Sequence, residues 1–239
     1  MPIQPLKPSF KFGLFLLMLI STVMIGCSQT VSKSIPVSVT AEELAGLDAD
    51  EKGGMLNKSA EELITSGYRY LSTGDTGLAR MHFGAALEKE PKKADALIGL
   101  GELDYRSGNY AGATLYFQRA AELDPDNLAA LLGGARALRL NDKLDEADRM
   151  IRRAIQIAPD DVRVLSELAI LYDLQGQQEL ADPIYRQILE KNPQRAATYN
   201  NLGVSQMLRK EYSEAIISFR KALLLDHSGT RAKNNLAMA

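Results

Sequence analysis

Residues 94–125 read ADALIGLGELDYRSGNYAGATLYFQRAAELDP: two stretches with an apolar face, parted by a Gly-Asn turn and closed by proline. In the first, Leu97, Leu100, Gly101 and Asp104 fall on one side of a 3.6-residue helix. In the second, Ala113, Phe117, Ala120 and Ala121 do the same. The pattern predicts a helix, a tight turn and a second helix. The closing proline recurs at Pro91, Pro125, Pro159 and Pro193, each 34 residues after the last, so the pair is one unit of a repeat.

With the proline counted as position 32, position 20 is alanine in five units: Ala79, Ala113, Ala147, Ala181 and Ala215. Position 24 is bulky (Phe83, Phe117, Ile151, Tyr185, Phe219), and position 27 reads Ala86, Ala120, Ala154, Ile188 and Ala222. Positions 4, 7 and 8 carry Leu97, Leu100 and Gly101 in the second unit, and Tyr199, Leu202 and Gly203 in the fifth. Small residues at 8 and 20 allow two helices to approach closely, and the residue at 24 fills the space beside them.

This pattern resembles the tetratricopeptide repeat. The resemblance implies an all-α, right-handed superhelical solenoid of about five helix-turn-helix repeats with a C-terminal capping helix. The expected divisions are a signal peptide at 1–26, a lipidated N-terminus and flexible tether at 27–59, repeats at 60–93, 94–127, 128–161, 162–195 and 196–229, and the cap at 230–239. Gly74, Gly108 and Gly176 at position 15 suit a left-handed helix stop, whereas Asp142 and Lys210 in their place predict looser turns. Pro183, at position 22 inside a second helix, predicts a local distortion. The cap, TRAKNNLAMA, repeats the opening of a further unit, with Leu236 and Ala237 at positions 7 and 8. Its expected role is to cover the last apolar face.

Before the repeats, Lys7 and Lys11 precede the apolar run FGLFLLMLISTVMI at 12–25, followed by Gly26, Cys27 and Ser28. A positive start and a short apolar run make a signal-peptide layout, too short for a lasting membrane span. The residues Met24, Ile25, Gly26 and Cys27 resemble a bacterial lipobox, which implies lipidation of Cys27. Several acyl chains hold a protein on a bilayer where one does not. Ser28, rather than aspartate, points to the periplasmic face of the outer membrane, by the same resemblance. A short helix at Ala41–Leu47 is expected to pack on the first repeat.

Twenty-eight basic and thirty acidic residues leave no basic excess for displacing nucleic-acid counterions, so nucleic acid is not an expected partner. One cysteine excludes a multi-thiolate metal cluster. No catalytic motif surrounds His82 or His227, which are expected at the surface, and neither enzyme activity nor a cofactor is expected. Binding is therefore assigned to protein partners on the concave face, which the family lines with positions 2, 5, 6, 9, 12 and 13 of each first helix. There stand Tyr105, Arg106, Arg136, Arg139 and Arg163, interspersed with Glu102, Glu167 and Asp173. Guanidinium groups there would pair with a partner's carboxylates. Asn200, Asn201, Asn234 and Asn235 form amide pairs 34 residues apart, able to clamp a peptide backbone, with Arg231 beside them.

Lipobox, tether and repeats together resemble the lipoproteins of tight-adherence (Flp) pilus assembly, notably over TYNNLGVSQMLRKEYSEAIISFRKALLLD and RAKNNLAMA. The resemblance implies a secretin or another pilus assembly component as partner. A type IV pilus pilotin, or an adaptor for periplasmic cell-wall hydrolases, are the alternatives.

Overall fold

The computed structural model describes residues 54, 55 and 57–239. The signal segment, Cys27 and the expected helix at Ala41–Leu47 lie outside the described residues. Those described fold into helices α1 (Ala60–Thr73), α2 (Thr76–Lys89), α3 (Ala94–Arg106), α4 (Tyr110–Leu123), α5 (Leu128–Leu140), α6 (Leu144–Ile157), α7 (Val162–Leu174), α8 (Gln178–Lys191), α9 (Ala196–Leu208), α10 (Tyr212–Leu225) and α11 (Thr230–Met238). They pair as five antiparallel units of one superhelical solenoid, and each first helix also touches the first helix of the next unit.

The repeat positions make the core. All five alanines at position 20 are fully buried, and Phe83, Phe117, Ile151, Tyr185 and Phe219 at position 24 are at most 2% exposed. Phe83 shows how tightly the register is set. A Cβ on Gly67 would stand 2.6 Å from its ring, and one on Gly99 of the next unit 2.4 Å. The ring is thus wedged between two glycine backbones, where any side chain would overlap it.

Local signals set the ends. Ser59 and Glu62 close a capping box on α1, at 2.7 and 3.2 Å. The side chains of Asp75, Asn109, Asn127 and Asp161 cap later helices. Gly74, Gly108 and Gly176 take φ of 86°, 82° and 73°. The expected loosening at Asp142 and Lys210 does not occur. Both adopt the same left-handed geometry, at 59° and 65°. The bonds Lys143 N to Leu138 O and Glu211 N to Gln206 O, each 2.9 Å, match Asn109 N to Asp104 O in the second unit. The solenoid imposes the turn, and the non-glycine residues bear its strain.

Pro183 sits inside a continuous helix, α8. At its start Leu180 N and Ala181 N both approach Gln177 O, at 3.0 and 3.3 Å, but Thr198 N and Tyr199 N approach Arg195 O at the same distances in α9, which has no proline, so this tightened turn is not the mark of Pro183. The repeat survives because Ala181, Tyr185 and Ile188 still pack inward.

Two further expectations need correction. His82 is buried (4% exposed), not superficial: its Nδ1 lies 2.9 Å from Leu78 O and its ring against Tyr70. The packed region also begins before Ala60, because Met55 is buried in the core and Lys58 Nζ donates to Ser66 Oγ at 3.3 Å. At the other end α11 packs against α10, with Ala232 buried and Ala237 exposed. Ile217 and Leu224 of α10, 67% and 64% exposed, stand at positions 22 and 29, which also face solvent in inner units.

Candidate partner-binding groove

Most of the expected groove arginines are already engaged within the chain. Glu167, only 5% exposed, accepts from Arg136 Nε at 2.6 Å. Arg139 Nη2 lies 3.8 Å from the other oxygen of the same carboxylate. A carboxylate taken out of water needs such countercharge, which is why these side chains turn inward. Arg106 donates to Glu102 at 2.9 Å and to Leu71 O at 3.1 Å, tying unit two to unit one. Arg163 folds back on its own helix cap, Asp161, with its closest contact at 2.6 Å. Tyr105 packs edge-on against Tyr110, 5.7 Å between ring centres. Arg106, Arg136, Arg163 and Tyr105 thus serve mainly as internal struts, while Arg139 is held only by its longer contact to Glu167.

Asp173 is likewise a buried junction. It accepts from Tyr185 Oη at 2.8 Å within its unit and from Ser205 Oγ at 2.6 Å across to the next. Burial raises its pKa above the ordinary carboxylate range, against the lowering effect of the two hydroxyls and Arg209. Burial and the nearby Asp173 charge push the Tyr185 phenol far up as well, so it remains a donor.

The asparagines do converge. Asn235 Nδ2 donates to Asn200 Oδ1 at 2.9 Å across the unit boundary, and Asn200 Nδ2 approaches Asn201 Oδ1 at 3.4 Å. The chain of amides runs in one direction, leaving the Asn201 NH2 at one end and the Asn235 carbonyl at the other. A partner backbone could accept from the first and donate to the second. Asn200 and Asn201 face a cleft of about 400 Å³, also lined by Arg231, Thr230, Ser228 and Asp226. The Ser228 hydroxyl and amide lower the Asp226 pKa, so the cleft offers one cation and one anion. Asn234 is exposed, and neither it nor Asn235 lines this cleft.

An apolar feature accompanies these groups that the charge pattern alone did not suggest. Position 13 of units three to five carries Leu140, Leu174 and Leu208, which are 41%, 51% and 53% exposed. Their 34-residue spacing is the same signal that exposed the prolines.

The repeat models settle the family. Tetratricopeptide-repeat models match residues 64–128 and 167–232, and a second such model matches 105–171. The chain belongs to the tetratricopeptide-repeat family. A search of curated proteins gives no match. Among solved structures, the tetratricopeptide protein TTC0263 of Thermus thermophilus superposes with a TM-score of 0.64 at 17% identity, covering 75% of this chain and 98% of its own. YrrB, described as a TPR protein with an unusual peptide-binding site, gives 0.58 at 20% identity, with 78% and 97% covered. A MamA fragment from Desulfovibrio magneticus gives 0.60 at 20% identity, with 72% and 97% covered. At these identities the likeness establishes the tetratricopeptide fold alone.

Proposed function

We propose that this chain is a membrane-tethered tetratricopeptide scaffold that holds a protein partner in its concave groove, and that it serves secretin assembly or localisation in a tight-adherence pilus. The observation that carries the binding half is the directional amide chain of Asn235, Asn200 and Asn201, of which Asn200 and Asn201 line a cleft of about 400 Å³. Such an arrangement suits an extended backbone, whose donors and acceptors alternate irrespective of sequence. YrrB, with the same fold, is described as binding peptide, and this supports the mode without fixing the ligand. The tether half rests on the N-terminal reading: a short apolar run behind Lys7 and Lys11, ending at Cys27.

The test is Cys27→Ser in cells that build the pilus. The variant is expected to keep its helical content, leave the membrane fraction, and lose secretin assembly. Fractionation with membranes as before would contradict the anchor, and normal secretin multimers despite release would contradict the proposed role.

A further inference from the structure

We propose that Leu140, Leu174 and Leu208, with Arg139 beside them, form a strip of the groove that takes a partner segment bearing apolar side chains about 10 Å apart and a carboxylate. This rests on the groove reading above and adds the chemistry of what the groove selects.

The three leucines end the first helices α5, α7 and α9, which pack on one another in order. Packed helices lie about 8–10 Å apart, so the strip repeats at that interval. Isolated exposed leucines are ordinary on a protein surface, but these three recur at one repeat position on successive packed helices and so set apolar groups at a regular interval. The strip begins at unit three. In units one and two, position 13 is Ser72, bonded to Arg69 O, and Arg106, bonded to Leu71 O.

Charge identifies the occupant further. Beside Leu140 the single carboxylate of Glu167 faces two guanidiniums, and Arg136 takes its close bond at 2.6 Å. Arg139, at 3.8 Å, lies beyond hydrogen-bonding distance, and its buried Nε has no hydrogen-bond partner. The Arg139 guanidinium is therefore left short of acceptors. The acidic groups at the remaining turns are committed elsewhere: Asp173 to Tyr185 and Ser205, and Asp182 to Arg186 and Arg209. A partner carboxylate would supply an acceptor to the part of the Arg139 side chain that remains exposed, while its apolar neighbours cover the leucines.

An extended polyproline-type segment rises about 3.1 Å per residue, so apolar residues at every third position match the strip. The probe is therefore a labelled synthetic peptide with leucine at every third position and one central glutamate. Its twin carries glutamine instead. Both are titrated by fluorescence anisotropy onto the full-length protein in lipid nanodiscs.

The glutamate peptide is expected to bind about tenfold more tightly than its twin, in keeping with one hydrogen bond to a charged group. Arg139→Gln should abolish that preference, and Leu174→Ser should weaken both peptides several-fold. Glu167→Gln, which removes the internal competitor, should tighten the glutamate peptide. Ile217→Ser, on the exposed face of α10, should change nothing. Circular dichroism melts check that each variant remains folded. Equal affinity for the twins, or indifference to Leu174→Ser, would overturn the strip. Binding lost only with Asn201→Ala would overturn it too while leaving the groove reading intact. Binding lost only with Ile217→Ser would overturn both. A dimer in sedimentation that Leu174→Ser dissolves would instead make a second copy of this chain the occupant, and would likewise overturn the proposal.

Discussion

Gly99→Ala sets two physical effects against each other. Gly99 sits within α3, where replacement by alanine normally stabilises a helix by about 1 kcal/mol. The added Cβ, however, would lie 2.4, 2.5 and 2.6 Å from three ring atoms of Phe83. That ring has nowhere to go: it is fully buried and stopped on its other side by Gly67, where a Cβ would meet it at 2.6 Å. Overpacking of this kind costs about 1–3 kcal/mol, and the absence of an escape route places the cost in the upper part of that range. The expected net effect is a loss of about 1–2 kcal/mol, or roughly 2–8 °C in melting temperature for a domain of this size. Urea unfolding followed by far-ultraviolet circular dichroism measures it. Phe83→Leu should make the second substitution much less costly, so the pair should be strongly non-additive. If Gly99→Ala is neutral or stabilising, the wedge does not set the spacing of the first two units.

Two other perturbations test the turns and the buried junction. Lys210→Gly should stabilise the chain by about 0.5–1 kcal/mol, because the left-handed φ of 65° strains lysine and suits glycine; a lower melting temperature would contradict the imposed-turn account. For Asp173, burial raises the folded pKa, so the native state holds the proton more tightly than the unfolded chain. Its contribution to stability is full below the unfolded value of about 3.9 and is lost as pH rises through the folded value. Asp173→Asn has no such proton to lose and should gain on the wild type as pH rises from about 4 to neutrality. Melts across that range would refute this if the difference stayed flat or moved in favour of the wild type.

The core was legible residue by residue because every position that decides it recurs at one interval. Alanine at position 20, a bulky group at 24 and a small residue at or beside 8 describe a contact between two adjacent helices, and sequence spacing determines such contacts. The charged groove was legible only as composition. Whether Arg136 faces solvent or Glu167 depends on how far one unit rotates against the next, and no spacing within a unit reports that. The asparagine pairs fared better, because a 34-residue offset places equivalent side chains on neighbouring first helices, and Asn235 does reach Asn200. Asp142 and Lys210 marked where residue preference yields to imposed geometry. The leucine strip stands at the same interval, but a leucine at a helix end is as ordinary inside as outside, so only its exposure in the fold distinguishes it. Met55 had no periodic neighbours to identify it as core.

The central claim, that the concave groove is the binding surface, is tested most directly by partner recovery from detergent-solubilised membranes. Wild-type protein would be compared with a variant carrying Asn201→Ala and Asn235→Ala, and with a control on the exposed face of α10, Ile217→Ser. Loss of the co-purifying protein partner with the groove variant, and its retention with the control, is the expected result. Unchanged recovery with the groove variant, its helical content intact, would place the binding surface elsewhere on the solenoid.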